Sequence, residues 1–495
     1  MMPRSRVGGL LSSERADQRP LDILREGAIS PAHEQEKLDE VRLGHQLRPL
    51  RRRRAHRPFA EADDGDRACE TAIVTLGHET PTTRQAIGER SAVAADTTVG
   101  ADRTVTPPRN RLLRLIRASD AGFIAVQFAL SRLIYLAGGL LTIAIQYGMA
   151  RAAVTFNDVI GLGPQVAGSL LYNGDSAWYA SIVHGGYLDA QYSPSVGLTN
   201  WAFFPLYPLL VRLTGGSDLA GILIANLALL AACSLLSYEL RVRHSRTAAR
   251  WTILFLLYWP LSGLLSSYRP DSLVLLGSVV AWVAAGRQRW SVAWVGVAIA
   301  TMARPTGALA GVLVMARIFA ALRESGWSAR TVLRPLSGAI IPIAGLVTFA
   351  AYMGLRTGDP LVFADMQAVW GRMPLSPEAL IAKYWANPMF ILWSWDFAAF
   401  NWLVLAAGCL TGIRLAQRRS PGLAAFTLLS ILVSPITGGS TIALGRYATA
   451  AFPLFMEPAM DRRLRGWRLG LLMVSTALLA LVGAWIILGS EAVIA

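Results

Sequence analysis

Lysine is almost missing from this chain: Lys37 and Lys383 are the only two, although the formal net charge is +15. Arginine therefore supplies the positive charge, a usage that fits a GC-rich bacterial genome rather than a functional demand. Charged residues are also scarce, at 16% of 495 residues against 53% apolar, where soluble chains carry roughly 25% charge. That shortage excludes the soluble protein of two or three domains that the length alone would suggest. Cysteine is too thin for a disulfide framework: Cys69, Cys233 and Cys409 lie far apart, two of them inside apolar runs. The six histidines are equally scattered, which argues against a zinc or haem site. No Gly-rich phosphate loop is present, and nothing calls for a metal or a cofactor. No apolar h-region follows Met1, so no cleavable signal peptide is expected.

What is present is a series of long apolar runs. A helix needs roughly 20 apolar residues to cross the hydrocarbon core. Candidate spans are 123–147, 219–240, 251–266, 272–285, 292–302, 308–322, 340–355, 393–413, 423–436, 443–460 and 469–488. The expected fold class is an all-α integral membrane protein, a polytopic bundle of about eleven transmembrane helices over 119–495. Residues 1–118 differ in kind, with Arg51-Arg52-Arg53-Arg54, the acidic patch Glu61-Ala62-Asp63-Asp64 and no sustained apolar periodicity. Too little apolar surface is available there to offset chain entropy, and a disordered extension is expected. A polybasic arm on anionic lipids, or a start codon further downstream, are the other readings of that segment.

Orientation follows from the arginines. The clusters at 109–117, 241–250, 287–289, 317–334, 414–419 and 462–468 each fall after an even number of spans. One face therefore holds them all, and the positive-inside rule makes it cytoplasmic. Basic loops of this kind explain the net charge without a nucleic-acid partner. Two long loops, 151–201 and 356–393, are then outside.

The informative charges lie on the other face. Outer acids are Asp158, Asp175, Asp189, Asp218, Asp271, Asp359, Asp365, Glu378 and Asp396. Asp175 opens a short amphipathic stretch with Trp178, Tyr179 and Ile182. Its bland role is an N-cap, worth about 1 kcal/mol; its functional role is a catalytic carboxylate, and local pattern does not choose. Three arginines sit at outer span ends against the charge rule: Arg269, Arg304 and Arg446, each beside Pro or Gly. Each taken singly could snorkel or pair locally, as Arg269 with Asp271. Three at one depth favour a shared anion site, because a guanidinium matches a phosphate oxygen pair. Trp178, Trp201, Trp370, Trp385, Trp393 and Trp395 enrich the outer loops, at least half of them as interfacial belt and the rest as platforms for a sugar ring.

Several of these segments resemble one family. Asn173–Tyr187 is similar to the Trp-Asp-x-x-Trp-Tyr…Gly-Tyr segment of the PIG-V-like mannosyltransferases, members of the GT-C class of multi-span glycosyltransferases. Ala202–Arg212 is the most specific match, followed in order by Ser266–Leu273, Ala303–Gly307 and Arg446–Phe455. Gly174 departs by standing where the family has Trp, and Arg269-Pro270-Asp271-Ser272 replaces a Ser-Glu run. The resemblance implies a polyprenyl-phosphate sugar donor, most simply mannose, and a glycolipid, polysaccharide or protein acceptor on the outer face of a bacterial plasma membrane. It further implies Asp175 as general base, with Asp271 as a second acid or an orienting group. Arg269, Arg304 and Arg446 would hold the donor phosphate. Trp178, Tyr179, Tyr187, Phe204, Tyr207 and Tyr447 would contact substrate. The alternative from another class is a transporter or flippase for a lipid-phosphate-linked substrate, against which stand the lack of an internal repeat and the aromatic outer loops.

Overall fold

The computed structural model describes residues 120–150, 161, 163–193, 197–370, 376, 378, 398–438, 441 and 443–488. The expectation of disorder over 1–118 lies outside the described residues, as do Asp158, Trp385, Trp393, Trp395 and Asp396. Among the described residues all regular structure is helical. In chain order the helices are α1 (Ala121–Ala150), α2 (Gly163–Leu171), α3 (Ser176–Gly185), α4 (Leu206–Leu213), α5 (Asp218–Arg243) and α6 (Arg246–Leu257). Then come α7 (Asp271–Gly286), α8 (Trp290–Ala303), α9 (Ala310–Ser325), α10 (Ala329–Leu336), α11 (Ile340–Thr357) and α12 (Val362–Val369). The last are α13 (Ala398–Gln417), α14 (Pro421–Gly438), α15 (Leu444–Tyr447), α16 (Pro453–Met460) and α17 (Arg468–Ile487), which packs along α1.

Six helical stretches are long and apolar enough to cross a membrane: Ala121–Ile145, Asp218–Arg243, Pro305–Glu324, Ala329–Thr357, Ala399–Gln417 and Arg468–Ile487. Asp271–Gly286, Trp290–Ala303 and Pro421–Thr437 are apolar but shorter. The two remaining apolar runs, 251–266 and 443–460, are built from pieces. Helix α6 stops at Leu257, and Pro260 and Pro270 keep 258–270 from continuing it. Such non-helical backbone is tolerated at membrane depth only when protein covers it. Every residue from 260 to 275 is buried.

The element that positions the site is the antiparallel pair α7 and α8. A Cβ on Gly277 would lie 2.5 Å from the Gly296 carbonyl oxygen, and one on Gly296 would lie 2.6 Å from the Ala281 nitrogen. Small residues let the two backbones touch, which is how apolar helices associate without a hydrophobic driving force. The turn between them is three residues, with Gln288 at φ 54°. The first residue of α7 and the residue after α8 are therefore neighbours. They are Asp271 and Arg304.

Candidate active site

Asp175 stands at the N-cap position of α3, but its backbone is helical (φ −55°, ψ −15°) and its side chain makes no capping hydrogen bond. Its carboxylate turns inward instead. Oδ2 lies 2.9 Å from Arg446 Nη1 and 3.5 Å from Arg304 Nη2. The capping role open at the sequence level is thus not the one adopted. Gly174 precedes it at φ 46°, a backbone region costly for a bulky side chain. Glycine meets that demand without strain.

Arg304 holds two acids. Its Nη1 donates to Asp271 Oδ1 at 2.6 Å, while Nη2 faces Asp175. Its extended backbone (φ −155°, ψ 148°) ends α8, as expected of a residue before proline. Arg446 is fixed from its neighbour: the Gly445 amide donates to Asn401 Oδ1 at 2.9 Å, and Trp259 Nε1 donates to the Gly445 carbonyl at 2.9 Å. Tyr447 lies beneath both cations, with guanidinium carbons 5.1 Å (Arg304) and 5.2 Å (Arg446) from the ring centroid. That spacing is within cation–π range.

Arg269 does not pair with Asp271. It donates through Nη2 to the backbone carbonyl and the side-chain oxygen of Asn173. The Tyr268 amide donates to Leu171 O at 2.7 Å, and Ser267 Oγ donates to Leu170 O at 3.1 Å. The 267–269 segment is thereby sewn to the chain just before Asp175. Arg269 Nε and Nη1 are buried without a hydrogen-bond partner among the described residues. So is Asp271 Oδ2.

Asp175, Asp271, Arg269, Arg304 and Arg446 all expose 8% or less of their surface. Among the described residues three guanidinium groups gather here with two carboxylates, and Arg269 keeps two N–H groups unpaired. A buried charge without a partner costs several kcal/mol. The arrangement is suited to receive one further anionic group.

The aromatic residues divide. Tyr447 borders the charges, and Trp178 is half-buried, stacked on Phe203 at 5.9 Å and edge-on to Trp370 at 5.5 Å. Tyr179, Tyr187, Phe204 and Tyr207, named above as substrate contacts, are buried among core residues. Tyr179 meets Phe203 at 5.1 Å and Tyr207 at 5.5 Å, and Phe204 meets Phe349 at 5.0 Å. Tyr187 Oη donates to Phe203 O at 2.6 Å. The edge-to-face contacts gain more from burial than a ring left in water, so these side chains shape the wall behind the charges. Trp201 is fully buried and donates to Leu188 O at 2.9 Å. Of the other outer acids, Asp189 pairs with Arg356 and Asp359 accepts from the Leu361 amide.

Three participants escape the sequence reading. Asn173 and Asn401 act through carbonyl oxygens, which no motif distinguishes from ordinary loop amides. Arg132 is different, because a charge within the apolar stretch of α1 is itself a signal. Its Nε donates to Ser266 Oγ at 2.7 Å and its Nη1 to Ser262 Oγ at 3.2 Å. It braces the irregular segment that leads to Arg269.

No family model matches this chain, and no curated protein matches it. Solved structures do. ArnT from Cupriavidus metallidurans bound to undecaprenyl phosphate is similar at 15% identity and a TM-score of 0.43, over 75% of this chain and 76% of that one. The Archaeoglobus fulgidus oligosaccharyltransferase in complex with zinc and sulfate aligns at 14% identity and 0.36, over 74% and 53%. AglB from the same organism, in complex with an inhibitory peptide and a dolichol-phosphate, aligns at 13% identity and 0.36, over 75% and 56%. The chain spans about half the length of these two.

Proposed function

We propose that this chain is a membrane glycosyltransferase of GT-C type, transferring a sugar, mannose by sequence resemblance, from a polyprenyl-phosphate donor to an acceptor hydroxyl on the outer face. The observation that supports the reading is the Asp175 carboxylate turned away from its capping position and set between Arg446 and Arg304. The donor phosphate brings its negative charge to the guanidinium groups. It displaces Asp175 from the guanidinium groups, and the freed carboxylate is then available as a base.

The step is an inverting displacement. The acceptor oxygen attacks the anomeric carbon and gives its proton to Asp175. The bond from that carbon to the phosphate oxygen breaks, and the phosphate leaves with the electron pair. Charge grows on the leaving phosphate, so Arg304 and Arg446 stabilise the transition state more than the ground state. Asp271 keeps Arg304 in place, and Tyr447 offers a flat face beside it. Arg269 acts one position back, holding Asn173 and with it the backbone that presents Asp175.

The test is transfer of label from polyprenyl-phosphate sugars in membranes carrying Asp175→Asn. Lost transfer with donor binding retained supports the reading. Undiminished transfer removes Asp175 as base, and flipping of the lipid without any transfer would favour a translocase.

A further inference from the structure

A second gathering of cations lies at the other end of α7. The helix begins at Asp271 in the site and runs for 16 residues to Gly286, a length of about 24 Å. There a cavity of about 690 Å³ is lined by the C-terminal ends of α5, α7, α13 and α16, one side of α9, and the first turn of α14. Its charged lining is entirely cationic: Arg243, Arg317, Arg418 and Arg419. Glu239 holds Arg243, whose guanidinium lies 5.4 Å over Trp282, and Glu457 pairs with Arg418 at 3.1 Å. Arg317 and Arg419 are exposed and have no acidic partner among the described residues. The start of α14, an 18-residue helix, adds backbone amides that its own turns do not satisfy. The lining also has an apolar part, with Leu313, Leu423 and Met456.

We propose that this cavity binds the phosphate headgroup of a membrane lipid, with part of its chain against the apolar wall, at a site separate from the Asp175 centre. Guanidinium forks match phosphate oxygens, and clustered arginines at a membrane face attract anionic lipid. A free phosphate ion would leave the apolar wall and most of the volume unfilled. A cavity of this size suits an amphiphile. The proposal stands whether or not the Asp175 site is a transferase.

The full chain is reconstituted with equal amounts of phosphatidylglycerol and phosphatidylcholine, extracted into detergent, and the co-purifying lipid is measured by mass spectrometry. Phosphatidylglycerol is expected to be retained in preference. The double variant Arg317→Gln/Arg419→Gln should reduce that preference roughly tenfold, while Arg330→Gln, on α10 and outside the cavity, leaves it unchanged. Ala320→Trp keeps every arginine but fills the cavity, and should expel the lipid. Equal retention of both lipids, or indifference to the double variant, overturns the proposal. So does complete displacement of phosphatidylglycerol by inorganic phosphate, which would mark a site for a free anion.

Discussion

The two ends of α7 use the same residue types to opposite effect. At the Asp271 end, carboxylates and guanidinium groups from distant segments are buried together, and each acid is held by arginine from another element. At the Gly286 end, Glu239 and Glu457 are buried anchors at 1% and 2% exposure, but the arginines they hold reach toward solvent. The difference is one of where the charge can relax. An arginine at a surface can turn to water when its acid is lost, whereas Arg304 and Arg446 cannot. The first end is therefore committed to a fixed geometry and the second is adaptable.

The sharpest way to break the comparison is chemical. Asp175→Asn keeps the shape and removes the proton acceptor, so sugar transfer should fall by about 10²–10⁴-fold, measured as label moved per unit of folded protein. Next comes the buried pair. Asp271→Ala takes from Arg304 the nearer of its two acids and should cost about 3–5 kcal/mol, read as a drop in thermal stability in detergent. Asp271→Leu/Arg304→Met, which removes both charges, should recover part of that loss while remaining inactive. At the opposite end, Glu239→Gln should cost less, about 1–3 kcal/mol, because Arg243 and Arg287 are each a third exposed and can be hydrated. Equal losses at Asp271 and Glu239 would erase the distinction.

The smallest effect concerns pH. Asp120, just before α1, is raised by burial, but hydrogen bonds from Arg246 and Arg250 outweigh this and hold it below its usual value. A carboxyl depressed in the folded state adds stability above its unfolded pKa of about 4 and loses it as pH falls through the folded value. Asp120→Asn should therefore flatten the acid limb of the melting-temperature profile without shifting its neutral value upward. An unchanged acid limb would show that Asp120 contributes nothing there.

Much of this was readable beforehand. Apolar runs mark helices because lipid demands internal hydrogen bonding. The parity of the arginine clusters also anticipated the segregation seen here: Arg243, Arg317 and Arg418 meet at one end of α7, and Asp175, Arg304 and Arg446 at the other. The division of the aromatic residues was hidden. In a linear string Phe204 looks no different from Phe203 beside it, and only the approach of Phe349 on α11 and Phe363 on α12 packs it into the core. The partner of Arg269 was hidden too, since the nearest acid in the chain, two residues away, points to Arg304.

By itself the sequence determined the all-helical, membrane-spanning character, the places where proline breaks a helix, and which charges are out of place. Those are consequences of local hydropathy and backbone chemistry. Tertiary structure alone decided that Asp175 serves as an ion-pair partner and not a cap. A capping bond is local, whereas the guanidinium groups that compete for the carboxylate come from more than a hundred residues away, Arg304 just after α8 and Arg446 in α15.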